Sequence, residues 1–301
     1  MLTLRTLTLA LALTGALSNT LQAAEPATAS EQVRVLASLP ITYGLGQILL
    51  KDSGVVLERA AAANLPGSRQ TAYFTGRGAE ALRDLSVKAD AVIGLRSLWP
   101  DDPLYPNARR SNIRIVEIDA ARPVDGSLPG IAVQPGQGID GLNSQPWLAS
   151  NNMGRMADVI AADLVRLAPA AKPSIDANLA RLKQQLLKLS AASEASLASA
   201  DNLSVVSLSD RFGYLIGGLN LELIDTQALT DEQWTPQAVE KLSATLKDND
   251  VAVVLDHRQP PAPVKAAIEA AGSKLLVLGI DGADPVAELE GDINQIINAL
   301  K

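Results

Sequence analysis

The chain has 301 residues, 47% hydrophobic and 20% charged, with 26 Lys and Arg against 33 Asp and Glu and no cysteine. That much apolar material builds a sizeable core, in two lobes more readily than in one. The formal net charge of −7 argues against nucleic acid and an anionic membrane surface as partners, and the missing cysteine excludes disulfides, thiolate metal sites and a lipoprotein-type lipid anchor.

Residues 1–23, MLTLRTLTLALALTGALSNTLQA, set one early charge, Arg5, before a short apolar run and a small-residue end. The pattern predicts a signal peptide cleaved near Ala23 and export to a periplasm as a soluble protein. The apolar run is too short, and too broken by Thr and Gly, to read as a membrane span. Residues 33–40 (VRVLASLP) predict a buried strand bounded by Pro40, and residues 41–54 a helix ending at Gly54. A strand follows in VVLER and runs into a loop through LPGSR; residues 78–89 predict a helix, and DAVIGL and IRIVEID two further strands. Alternating strands and helices imply a parallel α/β sheet. Residues 120–145, rich in Gly, Pro, Ser and Asp, predict a long surface loop.

Asn151 and Asn152 are placed to cap an amphipathic helix ended by Pro169. Ile175, Leu179, Leu182, Leu186 and Leu189 then recur at helical spacing, which predicts one long helix with Pro173 in its first turn. Beyond it the α/β rhythm resumes: strands in LSVVSLS, NLELIDT, VAVVLD and KLLVLG, helices between them, and a last helix from Asp284 to the end. The expected fold is α/β, two lobes with parallel-rich sheets joined by one long rigid helix, with a ligand cleft between them. The expected boundaries are a signal peptide over 1–23, a first lobe over 24–170, a linking helix over 171–200 and a second lobe over 201–301.

Several stretches resemble one family. LPGSRQTAYF resembles a Pro-Gly-x-x-Pro-His-x-Tyr loop, SQPWLASNN resembles His-x-Trp-Leu-Asp-Pro-x-Asn, and VVSLSDRFGYL resembles Ser-His-Asp-Ala-Phe-Gly-Tyr. With the segment from Trp234 to Gly279, these are similar, in order and spacing, to the helix-linked periplasmic solute-binding proteins of zinc and manganese ABC transporters. The resemblance implies a single divalent cation as cargo (zinc, manganese or iron), a cognate permease in the inner membrane, and His, Glu and Asp ligands between the lobes. The matched positions here are Thr71, Gln145, Ser209 and Gly279. None carries the imidazole or carboxylate that zinc takes at about 2.0–2.2 Å, although the shape-giving Tyr73, Trp147, Leu148, Asn152, Asp210, Phe212, Gly213 and Tyr214 remain.

Three readings follow. A relocated cation site draws on Asp210, Asp256, His257 and Asp281, one imidazole and three carboxylates that lean towards oxygen-tolerant ions; against it, His257 is a lone histidine and Asp210 suits a helix cap. An anionic ligand, such as a metal chelate, draws on Arg69, Arg211 and Arg258 with Tyr73, Phe74, Trp147, Phe212 and Tyr214; against it, these aromatics fall at packing positions. A companion protein, keeping the fold and a contact with the permease or another periplasmic protein, needs no small ligand. No Ser-His-Asp arrangement and no Gly-rich nucleotide loop is present, so the chain reads as a binding protein and not an enzyme.

Overall fold

The computed structural model describes residues 32–124, 126, 128–135 and 145–301. The expected signal peptide, and residues 125, 127 and 136–144 of the long connection, lie outside the described residues. The first sheet has strand order β2-β1-β3-β4 and is parallel throughout, built from β1 (Arg34–Ala37), β2 (Val56–Arg59), β3 (Ala91–Gly94) and β4 (Val116–Asp119). Its helices are α1 (Pro40–Leu50), α2 (Gly67–Thr75), α3 (Ala79–Ser86) and α4 (Leu104–Ser111). A 3₁₀ turn (Pro146–Leu148), α5 (Ser150–Leu167) and the long α6 (Lys172–Leu197) lead to the second half. There β5 (Ser204–Ser207), α7 (Gly213–Gly218), β6 (Glu222–Thr226), α8 (Pro236–Asp248), β7 (Val253–Asp256), α9 (Ala262–Ala271), β8 (Lys274–Val277) and α10 (Pro285–Leu300) form a second parallel sheet of order β6-β5-β7-β8. This is the expected two-lobe α/β architecture, with a 26-residue helix of about 39 Å joining the halves.

Strand parity explains the layers. Val35 and Ala37, Ala91 and Ile93, Val205, Val253 and Leu255 all face one continuous core that also holds α1, α5, α6 and α10. The alternate residues face away, Leu36 and Val92 into an outer core with Phe74 and Leu82, and Val206 and Val254 into another with Leu242 and Ile268. Period-two alternation with both faces apolar is what a parallel strand covered by helices requires. The lobes also touch at Gly44 of α1, where a Cβ would meet Pro285 Cδ at 2.5 Å and the Ala283 carbonyl oxygen at 3.2 Å. Only glycine admits this approach of α1 to the start of α10.

Four local expectations are corrected. Helix α1 ends at Leu50, not Gly54, because Asp52 (φ 55°) and Gly54 (φ 79°) turn left-handed and Ser53 bonds back to Leu50 O through both its N–H and its hydroxyl. The segment taken for an open ligand loop is helix α2, and α4 has no counterpart among the expected elements. Asn151 and Asn152 lie inside α5, whose cap position is Ala149. Asp210 does not cap α7; the cap position is Phe212. Pro173 does stand in the first turn of α6, where its missing N–H costs no helical bond.

Candidate functional site

In open α/β sheets the loops at the carboxyl ends of the strands carry ligand-binding groups. In the second lobe three such loops hold the sequence-nominated residues. After β5, the Ser207 hydroxyl donates to Ser209 O (2.6 Å), and the buried Ser209 hydroxyl accepts from Arg211 N (3.3 Å). Ser209 is thus spent on turning its own chain. After β7, buried Asp256 accepts the His257 and Arg258 N–H groups on Oδ1 (2.7 and 3.3 Å), with His257 Nδ1 3.3 Å from the same oxygen. Arg258 points away to Asp231 (3.1 Å) and Leu229 O (3.0 Å), which ties down the segment before α8.

After β8 the arrangement is different from anything the sequence suggested. A Cβ at Gly279 would lie 2.3 Å from Glu288 Oε1 and 2.9 Å from its Cδ. The carboxylate of Glu288, sent in from α10, therefore fills the space a side chain at 279 would take. Its other oxygen accepts from Gly282 N (2.9 Å), and one turn further along α10 Asp292 accepts from Gly279 N (3.2 Å). Asp292 is 3% exposed and its Oδ2 has no hydrogen-bond partner among the described residues. Burial pushes its carboxyl up to about 7, against the Gly279 N–H, and neighbouring Glu288 adds to the rise. Glu288 is raised by burial and by Asp281. Asp281 is itself raised by burial, while Arg211 and His257 pull it down. The β8–α10 loop thus sets Asp281 within the electrostatic reach of Arg211, from the loop after β5, and of His257, from the loop after β7.

In the first lobe, helix α2 turns Thr71 and Arg69 out to solvent and Gln70 inward, where its amide donates to Ser38 O at 3.2 Å. Tyr73 is half-buried, edge-on to Phe74 at 5.4 Å and under Arg77 at 5.6 Å. Gln145 is buried at the entry to the 3₁₀ turn, and Trp147 meets Trp99 edge-to-face at 5.7 Å. Phe74, Trp147, Phe212 and Tyr214 are all at most 2% exposed, so these rings pack the core and offer no surface to a ligand. Of the residues nominated for an anion, Arg69 is exposed, Arg211 and Tyr73 are half-buried, and Arg258 is paired with Asp231. Asp210 is exposed on the loop after β5. Among the described residues no three His, Cys, Asp or Glu side chains, those of Asp210, Asp256, His257 and Asp281 included, are grouped to hold a metal ion.

Sequence reasoning missed Glu288 and Asp292. A signal for the second was there: Val286, Leu289, Ile293 and Ile296 form the buried stripe of α10, and Asp292 falls within it, where the helical period calls for an apolar side chain. Asp102 was also missed; it is buried at the end of β3, accepts from Leu95 N and Leu104 N, and burial raises its carboxyl.

No curated protein sequence matches the chain. Solved structures do. A mutant of FpvC from Pseudomonas aeruginosa superposes with a TM-score of 0.72 at 20% identity, covering 89% of this chain and 99% of that one. A crystal structure of ZnuA gives 0.68 at 19% identity over 90% and 100%, and the metal-dependent lipoprotein YcdH from Bacillus subtilis 0.70 at 16% over 89% and 99%. At such identities these matches speak for the fold, in agreement with the two parallel sheets and the linking helix. The family profile described as zinc-uptake complex component A, periplasmic, matches residues 79–298, and with most of its length so covered the chain belongs to the ZnuA family.

Proposed function

We propose that this protein serves a metal-type ABC transporter from the periplasm as a companion that keeps the solute-binding fold but takes no bare divalent cation in its cleft. Membership of the family supplies the transporter context. The observation that carries the rest is the Glu288 carboxylate seated in the side-chain space of position 279. Loss of a ligand there is compensated within the packing of α10, which is how a position looks when it no longer has to meet a cation. Thr71, turned to solvent on α2, and Ser209, bonded to its own loop, agree with this reading. Its partner is the permease or another periplasmic protein.

A second reading is favoured by Arg211 and His257 around Asp281: the cleft takes a metal already held by an anionic chelator, whose carboxylates pair with the guanidinium. Titration of the metal-free protein with Zn²⁺, Mn²⁺ and Fe²⁺ tests the first reading. The expected outcome is no binding tighter than micromolar and no change in Tm, because only a ligand bound by the native state raises it. Stoichiometric tight binding overturns it. A rise in Tm with ferric citrate, lost in Arg211→Gln, supports the second reading in its place.

A further inference from the structure

Residues 130–135 run between the two lobes, and both lobes hold them. On one side, Asn152 of α5 uses its whole amide: Oδ1 accepts from Ala132 N (3.0 Å) and Nδ2 donates to Ala132 O (2.9 Å). Arg155, one turn on, donates to Gly130 O (3.3 Å). On the other side, the Gln134 N–H donates to the hydroxyl of Tyr214 on α7 (2.8 Å). The Gln134 side chain lies over the same helix, close enough that a Cβ at Gly217 would stand 2.9 Å from its Nε2. Ile131 packs against the core shared by the lobes. Residues 131–135 are themselves half-buried or exposed and belong to no helix and no extended strand, so these few bonds fix their course.

Asn152 and Tyr214 were singled out from sequence as residues of shape. Their polar atoms have a more definite task. The Asn152 amide mimics the donor-acceptor pair of a neighbouring strand. The Tyr214 ring is sunk in the second lobe at 1% exposure, with only its oxygen reaching the segment.

We propose that residues 130–135 are a strap latched across the lobes, with Asn152 as its fixed anchor in α5 and the Tyr214 hydroxyl as its release point on α7. While the latch is made, it adds a polar tie between α7 and the first lobe to their shared core; when it breaks, the second lobe can slide further over α5 within that core. This adds to the proposed function without depending on it, since the strap acts whether the occupant of the cleft is a chelate, a partner or nothing.

Two variants break the latch from opposite ends. Tyr214→Phe removes only the oxygen. Gln134→Pro removes the strap's donor N–H together with the side chain that lies over Gly217, in a position that already precedes Pro135 and so favours extended geometry. Both are read by thermolysin cleavage before Ile131, a bond that neither variant alters, and by the spin-label distance between Lys88→Cys and Lys247→Cys, exposed positions in the two lobes of a chain with no native cysteine. One hydrogen bond of ordinary strength sets the size: cleavage about three- to tenfold faster. The distance distribution should broaden in each variant, and combining the two should add little. Unchanged cleavage and unchanged distances in folded Tyr214→Phe and Gln134→Pro, each checked by circular dichroism, overturn the proposal. If one variant fails to fold, the other decides; if cleavage rises with no change in distance, the strap is a local cover and not a latch between lobes, and the proposal fails.

Discussion

Gly279→Ala lowers stability by about 2 kcal/mol, the ordinary cost of forcing a methyl into a filled site, and removing the Glu288 side chain abolishes that cost. The methyl would arrive 2.3 Å from Glu288 Oε1. Glu288 cannot simply swing away, because its other oxygen holds the Gly282 N–H at 2.9 Å. Glu288→Ala alone forfeits that bond, about 1 kcal/mol, but leaves room at 279. The double variant should therefore be no less stable than Glu288→Ala by itself. Urea unfolding of the two single variants and the double gives the coupling energy directly. If the two losses add, the Glu288 carboxylate does not fill the side-chain space of position 279, and the proposal that no bare cation is met there fails with it.

The second large effect is on pH. Asp292 ionises near 7 in the folded protein and near its ordinary 3.8 in the unfolded chain. Below about 4 the carboxyl is protonated in both states and makes no difference to stability. Between about 4 and 7 the unfolded chain has released a proton that the folded one keeps, so stability falls as pH rises; above 7 the loss is complete. Glu288 and Asp281, also raised, push in the same direction. Asp292→Asn retains an acceptor for the Gly279 N–H and removes the ionisation. The variant should match the wild type near pH 4 and exceed it by about 2 kcal/mol at pH 8, a figure reduced from the full conversion because the surroundings relax around an ionised carboxylate. Denaturant midpoints from pH 4 to pH 9 check it. Parallel curves would remove Asp292 as the cause.

The fold was legible because its strands are short, apolar on both faces and regularly spaced, a pattern that buried parallel sheets impose. The linking helix was legible for the opposite reason, a strict helical period over many turns. Helices α2 and α4 were not. GSRQTAYFT and LYPNARRS have few apolar residues and no side-chain cap, and are held by packing against α3 and the sheet. Because α2 is a helix, consecutive residues point in different directions, and Gln70, not Thr71, turns inward. Thr71, the residue nominated from the sequence, faces solvent, a direction that its place in the chain alone does not give. The same holds at 279. Sequence marks glycine where a ligand is expected, but the carboxylate nearest that point comes from nine residues downstream, which only the packing of α10 on β8 reveals.

The inner faces of both sheets share one apolar core with α1, α5, α6 and α10. Calling the halves lobes describes their outline and not their cohesion. Neither half closes off its own inner face, so a fragment ending at α6 would expose in water what the intact chain hides, and would aggregate before it functioned. Heat has the same choice to make: with no dry boundary between the halves, both melt in a single event. Any opening of the cleft must then be a slide of packed helices over one another, small in amplitude, because a wide hinge would tear the common interior apart.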